Sequence, residues 1–208
     1  MKIIISSIGR AGSTLICDLI AASLETESIF VTRFRNIGRS HAVVVKTHDH
    51  FLFEPDYEYR AVFLADRIEN IIASLYPKNK HFLSLHLRHL RVRLFSRIVF
   101  KILMKLDHVC GKGYFRRRAF AYMIKDDKFG FKRNITSWKK ARHARFVDYN
   151  RLCSHKSEVL QTISGFVGFS VKDFEVKTRT TTPDALPGSL RNLIDTHYAH
   201  FEQMYNDS

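Results

Sequence analysis

The sequence predicts an α/β fold in which a central parallel β-sheet is flanked by helices. Isoleucine- and valine-rich runs at residues 3–5, 43–45 and 61–65 are typical of buried parallel strands. Helical patterns, with apolar residues three and four apart, follow the first and third runs, near residues 15–20 and 68–75. Strands that alternate with helices form parallel sheets, and ligands bind at the carboxyl ends of such strands.

Length and composition favour one domain over residues 1–208, with 45% apolar side chains available for a core. No run approaches the roughly 18 uncharged apolar residues of a membrane span, and the first residues lack the apolar stretch of a secretory signal. Cys17, Cys110 and Cys153 are scattered, so neither a disulfide framework nor a metal site is expected. These features indicate a cytoplasmic protein, with contact at the periphery of a membrane left open.

The net charge of +14 is concentrated in one segment. Residues 78–118 contain twelve Lys and Arg against one acid, Asp107, a net charge of +11. We expect a basic helical insertion here that lies on the acceptor side and binds something anionic. Phenylalanines interleave with its arginines, but no RNA-binding signature is present, so no nucleic acid is expected.

Within this segment, residues 82–106 have the pattern of one long helix or two joined helices. An apolar stripe is formed by Phe95, Ile98, Ile102 and Leu106, and a second face carries Arg97, Lys101 and Lys105. Further helices are predicted near residues 135–143, 158–169 and 189–205.

The turn after the first strand, Ser-Ile-Gly-Arg-Ala-Gly-Ser-Thr, has the composition of an anion-binding loop. Gly9 and Gly12 permit a tight turn and close approach of an anion, while Arg10 adds a cation. A nucleoside triphosphatase loop places lysine directly before the hydroxyl residue, but here Gly12 precedes Ser13. The loop therefore argues against ATP or GTP hydrolysis.

This loop resembles the 5′-phosphosulfate loop of the sulfotransferases that use 3′-phosphoadenosine 5′-phosphosulfate (PAPS). The segment Val44-Val45-Lys46-Thr47-His48 resembles the family's K-T-H stretch. The resemblance implies a P-loop-like sulfotransferase fold, PAPS as donor, adenosine 3′,5′-bisphosphate (PAP) as product, and no metal. It makes His48 the catalytic base, with Lys46 and Arg10 at the sulfonate. The donor-binding residues that it implies in the loop are Arg10, Ala11, Gly12, Ser13 and Thr14.

A third stretch, from Ala61 through Arg67 to Ser74, resembles the family's 3′-phosphate motif and makes Arg67 and Ser74 candidate donor-binding residues. The match departs from the family at Asp66, because the arginine stands one position late. A carboxylate about 4 Å from a phosphate costs up to roughly 4 kcal/mol at an effective dielectric near 20. Either Asp66 turns away, for instance to pair with Arg67, or the 3′-phosphate takes its cation from elsewhere in the chain.

A fourth stretch resembles the family's late strand, which usually ends Y-E-D-L, and the helix after it. Asn150 and Arg151 replace both acids, while Phe166-Val167-Gly168 keeps the ending of the helix. The four stretches occur in family order. They predict that strand ends near residues 10–14, 46–48 and 66–74 meet in one crevice.

The function predicted is transfer of a sulfonate from PAPS to the hydroxyl of an acceptor, with an anionic glycan or lipid headgroup expected because of the basic segment. Two alternatives stay open. The first is a non-catalytic α/β protein that binds nucleic acid or an anionic membrane surface. The second is a P-loop nucleotide kinase, which the missing lysine disfavours.

Overall fold

The computed structural model describes residues 1–9, 11–90, 92–111, 113–173 and 182–206. The chain divides into two compact units, one formed by residues 1–66 and 133–178 and the other by residues 67–132 and 179–207. The five strands all lie in the first unit, and the second is helical in its described part. The single domain predicted over residues 1–208 stays a prediction.

The sheet of the first unit has the strand order β2-β3-β1-β4-β5, and every pairing is parallel. The strands are β1 (Lys2–Ser7), β2 (Ser28–Phe30), β3 (Val44–Thr47), β4 (Tyr59–Ala65) and β5 (Ala144–Asp148). Because all five run in the same direction, their carboxyl ends meet at one edge of the sheet. The predicted α/β class with a central parallel sheet is confirmed.

Helices occur on both sides of this sheet and throughout the second unit. Within the described ranges they are α1 (Ser13–Ser23), α2 (Ile68–Leu75), α3 (Lys80–His89), α4 (Leu94–Cys110), α5 (Tyr114–Ile124), α6 (Phe131–Trp138), α7 (Tyr149–Ser154), α8 (Lys156–Val167) and α9 (Gly188–Asn206). None of those described helices combines the length and apolar composition needed to cross a bilayer.

The isoleucine run places β1 at the centre of the sheet, where both faces are buried. Ile3 and Ile5 pack in an apolar layer with residues of α1 and α8, including Ile16 and Ile163. Ile4, between them in sequence, is also fully buried, as expected for alternate residues on opposite faces of a covered strand.

An aromatic layer lies around Trp138 of α6. Its indole lies 5.7 Å from the ring of Phe34 and 6.0 Å from that of Phe63 on β4. Phe63 also packs against Phe146 of β5 at 4.9 Å between ring centres. These contacts fix α6 against the sheet in a position that bears on the candidate site.

The helix predicted near residues 135–143 begins and ends earlier, at Phe131 and Trp138. The carboxylate of Asp127 accepts the amides of Phe131 and Lys132 at 2.9 and 3.0 Å, which satisfies the first turn. The hydrophobic pattern did not reveal this start because the capping group lies four residues before the helix.

In the second unit, α4 and α5 pack through aromatic side chains. The ring of Phe120 lies 5.6 Å from that of Phe100 and 5.1 Å from that of Tyr76. The face of α4 that is buried carries Ser96, Phe100, Met104 and Asp107. The apolar stripe predicted on residues 95–106 lies on the opposite, exposed side of α4.

Candidate active site

The loop between β1 and α1 has a geometry suited to an anion. The amide of Gly9 donates to Ser7 Oγ at 3.1 Å, and the Ser7 hydroxyl donates to Ser13 Oγ at 3.0 Å. Gly12 adopts a left-handed conformation, with φ 73°, directly before α1. The amide of Ile16 donates to the Gly12 carbonyl, so the amides of the three preceding residues stand at the open end of the helix. Such amides carry partial positive charge and bind anions.

The other loop residues differ in what they offer a ligand. Ala11 is fully buried in the apolar core, so only its backbone can face the loop. Ser13 is buried with its hydroxyl bonded to Ser7, whereas Thr14 is exposed. Arg10 lies outside the described residues, and its predicted role stays a prediction.

Lys46, near the end of β3, lies beside this loop. Its ammonium donates to the hydroxyl of Thr14 and lies 5.8 Å from the centre of the Phe30 ring. Burial lowers the pKa of Lys46, and Cys17 and Asp18 offset this only in part. Among the described residues, no carboxylate lies within ion-pair distance of this ammonium. A half-buried cation of this kind gains stability when an anion binds next to it.

The imidazole of His48 lies against the same loop. Its Nδ1 is 3.3 Å from the carbonyl oxygen of Ser7 and 3.2 Å from Ser7 Oγ. A carbonyl oxygen only accepts, so Nδ1 carries the proton in that hydrogen bond. In the neutral ring the lone pair is then on Nε2, which makes Nε2 the basic nitrogen. One shared hydroxyl, that of Ser7, connects His48 with Ser13 at the start of α1.

The backbone around His48 is held by α6. Asn134 Nδ2 donates to the carbonyl of His48 at 3.1 Å, and Trp138 Nε1 donates to the carbonyl of Asp49 at 2.9 Å. The buried carboxylate of Asp49 accepts the amide of Phe34 at 2.8 Å. These bonds fix the turn that follows β3 and thereby the direction of the imidazole.

The ring of Tyr149, at the start of α7, covers Gly12. A Cβ at Gly12 would lie 2.3 Å from a carbon of this ring, so a larger residue does not fit without displacing it. Tyr149 therefore forms a wall on one side of the loop.

Asp66, the departure from the phosphate motif, is fully buried at the end of β4. Asn150 Nδ2 donates to Asp66 Oδ1 at 3.2 Å, and the amide of Asn150 donates to Asp148 Oδ1 at 2.8 Å. The carboxylate is thus shielded from solvent and contacts Asn150, whereas its expected turn away from a bound phosphate stays a prediction. One hydrogen bond therefore joins the two positions at which the sequence departs from the motifs that it resembles.

Arg67 and Ser74 belong to the helical unit, and their predicted contacts with a 3′-phosphate stay predictions. Arg67 directly precedes α2 and is exposed. Ser74 is 8% exposed, and its hydroxyl donates to the carbonyl of Ile71 at 2.7 Å. To donate to a phosphate, this hydroxyl must rotate away from its own helix.

Three residues of the site were missed by sequence reasoning: Phe30, Asn134 and Tyr149. The ring of Phe30 lies 5.6 Å from that of His48, which gives the base an apolar neighbour. Each of these contacts joins segments far apart in the chain, and hydrophobic periodicity reports only on neighbours within one element. A local signal existed only for Asn134, which shares a helix face with Trp138 four residues later.

No protein-family model matches the chain, and no curated protein sequence matches it. Among solved structures, mouse sulfotransferase SULT7A1 complexed with PAP is similar to it. The similarity has a TM-score of 0.48 at 10% sequence identity and covers 94% of this chain and 63% of that one. The chain thus spans less than two thirds of the length of that structure, and its function must be inferred from its own residues.

Proposed function

We propose that this chain is a sulfotransferase that moves a sulfonate from PAPS to the hydroxyl of an acceptor. The observation that carries the proposal is the contact of the His48 imidazole with Ser7, at the start of the glycine-bearing loop. The base is thus joined to a helix N-terminus through a single hydroxyl. Such an arrangement suits transfer of an anionic group to an acceptor hydroxyl, because the helix amides bind the anion while the base takes the proton.

The loop would hold the 5′-phosphosulfate through backbone amides at the start of α1, the exposed Thr14 hydroxyl and the Lys46 ammonium, with Arg10 added from the sequence. The residues fit such a group, because the half-buried Lys46 contacts a hydroxyl and a ring rather than a carboxylate. Bound PAPS supplies the sulfonate and a bisphosphate leaving group. The oxygen that carries the leaving charge needs cations and amides nearby, which this end of the sheet offers.

His48 acts as the general base. With the proton on Nδ1 directed at Ser7, Nε2 accepts the proton of the acceptor hydroxyl while its oxygen bonds to sulfur. The bond from sulfur to the bridging oxygen breaks, and Lys46 stabilises the charge left on that oxygen.

Arg67 and Ser74 are proposed to bind the 3′-phosphate of the donor. Comparison of PAP with AMP, which lacks this phosphate, isolates their contribution. We expect Arg67→Ala and Ser74→Ala to weaken binding of PAP and to leave binding of AMP unchanged. Equal losses for both ligands would remove these residues from the 3′-phosphate site and leave the loop assignment intact.

Binding of PAP is the first test, because it separates the proposal from both alternatives. PAP at about 100 times its dissociation constant should add about 2.7 kcal/mol to the free energy of unfolding, which a thermal shift detects. Tighter binding of ATP than of PAP would favour a nucleotide kinase. Absence of nucleotide binding would favour a non-catalytic protein.

Transfer of labelled sulfonate from PAPS to a panel of hydroxyl acceptors is the second test. We expect His48→Ala to abolish transfer while PAP still binds. His41→Ala removes an exposed histidine from the same part of the chain and serves as the matched control. Full activity of His48→Ala would contradict the assignment of the base.

A further inference from the structure

Helix α4 carries an apolar face that no described part of the chain covers. Six of its large apolar side chains are exposed: Leu94 (64%), Phe95 (72%), Ile98 (46%), Ile102 (55%), Leu106 (40%) and Val109 (75%). At 100° per residue these positions fall within one stripe along the whole helix. Single exposed apolar residues are ordinary on a protein surface, but a contiguous stripe of this kind marks an interaction site.

A row of cations borders this stripe. Arg97, Lys101 and Lys105 follow one another four residues apart on the side next to Leu94, and of these the two lysines are exposed while Arg97 is partly buried. The sole acid of α4 is Asp107, which is buried and paired with Arg116 of α5. The exposed face of α4 is therefore apolar on one side, basic on the other and free of carboxylates.

We propose that α4 is an interfacial helix that lies in the surface of a membrane containing anionic lipids. Its apolar stripe enters the boundary between headgroups and acyl chains, and its lysines and arginine contact lipid phosphates and carboxylates. Seventeen residues give a helix about 25 Å long, enough for several headgroups along its length. The inference goes beyond the proposed transferase function and does not depend on it.

A second copy of the chain fits this face less well than a lipid surface does. One helix face of about 25 by 10 Å offers roughly 250 Å², about a third of what each partner buries in a stable interface. Two such faces would also bring their cations together without a carboxylate on either helix to pair with them. A membrane with anionic headgroups supplies both the apolar phase and the opposite charge.

Vesicle co-sedimentation tests the proposal. We expect the full chain to bind vesicles of phosphatidylcholine mixed with phosphatidylserine, and to bind pure phosphatidylcholine vesicles much more weakly. Phe95→Ser/Ile102→Ser should weaken binding to the mixed vesicles more than about 30-fold. Lys101→Gln/Lys105→Gln should weaken binding to the mixed vesicles about 30-fold, since each of these two lysines contributes about equally to the attraction to anionic lipids. All four side chains are exposed, so the variants should fold and keep the melting temperature of the wild type.

The matched control removes the same charge from elsewhere. Lys140→Gln/Lys172→Gln neutralises two exposed lysines of the first unit and should leave vesicle binding within about twofold. An equal loss in this control would mean that total charge, rather than α4, attracts the vesicles, and would overturn the proposal. Equal binding of the wild type to both kinds of vesicle, or to neither, would overturn it as well.

Tryptophan fluorescence tests insertion directly. In Phe95→Trp, the emission should shift to shorter wavelength when mixed vesicles are added, while in Leu52→Trp, at an exposed site of the first unit, it should not. The native Trp138 is buried and gives the same background in both. Two results together would assign this face to a second copy of the chain and refute the membrane proposal. The wild type would form a dimer that Phe95→Ser/Ile102→Ser dissociates, and the emission of Phe95→Trp would not shift.

Discussion

Gly12 occupies a position at which both conformation and space demand glycine. Its φ of 73° is costly for other residues, and Tyr149 leaves no room for a Cβ. We predict that Gly12→Ala lowers the free energy of unfolding by about 2 kcal/mol and weakens PAP binding. Chemical denaturation and calorimetry measure the two effects.

Gly165 provides the control for this substitution. It lies within α8, is exposed, and a Cβ there meets nothing within 4 Å. Gly165→Ala should raise stability by up to about 1 kcal/mol, because alanine favours the helix. Similar stabilities for Gly12→Ala and the wild type would contradict the strain assigned to the loop.

The charge of Lys46 is proposed to serve a ligand, and its lowered pKa shows that burial disfavours this charge in the folded chain. Because its pKa in the folded chain lies below its ordinary value, the unfolded chain binds more protons between the two values, and stability rises with pH there. At neutral pH the charged ammonium therefore costs stability. We predict that Lys46→Met keeps or raises the melting temperature and loses PAP binding. A lower melting temperature would contradict this.

For the proposed transfer reaction, the same lowering of the pKa of Lys46 predicts an alkaline limit. As pH rises through the lowered pKa of Lys46, the ammonium is lost, so transfer should decline at a lower pH than for an ordinary lysine. Arginine stays charged at alkaline pH, so the activity that remains in Lys46→Arg should decline only at a higher pH. A pH–rate profile that is identical in the two proteins would contradict this role.

Cys17 should be unreactive in the folded chain. Burial raises the pKa of its thiol to about 11, so almost no thiolate forms at neutral pH. Cys110 and Cys153 are exposed. We predict that iodoacetamide modifies Cys110 and Cys153 in the native protein and all three cysteines after denaturation, as mass spectrometry would record. Rapid modification of Cys17 would mean that α1 opens readily.

Among the elements, α6 holds the backbone of His48, the proposed base. Asn134 is 3% exposed and donates to the carbonyl of His48. We predict that Asn134→Ala costs about 1–3 kcal/mol of stability, since it removes a hydrogen bond at a buried position. It should lower kcat more than it weakens PAP binding, because the donor site stays intact.

Ser137 of the same helix separates positioning from stability. Its hydroxyl accepts the amide of Phe51, beyond the turn that carries His48. Ser137→Ala should cost comparable stability with little change in kcat. Equal kcat losses in the Asn134 and Ser137 variants would reduce the role of Asn134 to a structural one.

The strands and helices that have a clear hydrophobic pattern in their own residues were predictable from the sequence. The run Ile3–Ile5 and the apolar spacing after Ser13 located β1 and α1, and parallel strands followed from their alternation with helices. The side of α4 that is buried was not predictable, because both of its faces carry apolar residues and only tertiary packing selects one. The Tyr149 wall and the Asn134 bond escaped prediction for a similar reason, since both depend on contacts between distant segments.

For the whole molecule, the uneven charge is the dominant electrostatic property. The net +11 between residues 78 and 118 should attract acidic acceptors over neutral ones. We predict that the rate with an acidic glycan falls steeply as salt shortens the Debye length from about 10 Å at 0.1 M to about 3 Å at 1 M. With a neutral acceptor, salt should change the rate only by weakening the binding of PAPS. Equal salt dependence for both acceptors would remove acceptor charge from the proposal.

The hydrogen bond between Asn150 and Asp66 makes these two positions mutually dependent. Asn150→Glu alone would set a second carboxylate against one that is already fully buried. Asp66→Asn alone would remove the charge that Asn150 contacts and weaken a charge-assisted hydrogen bond. A change at either position is therefore expected to be tolerated best when the other position changes with it.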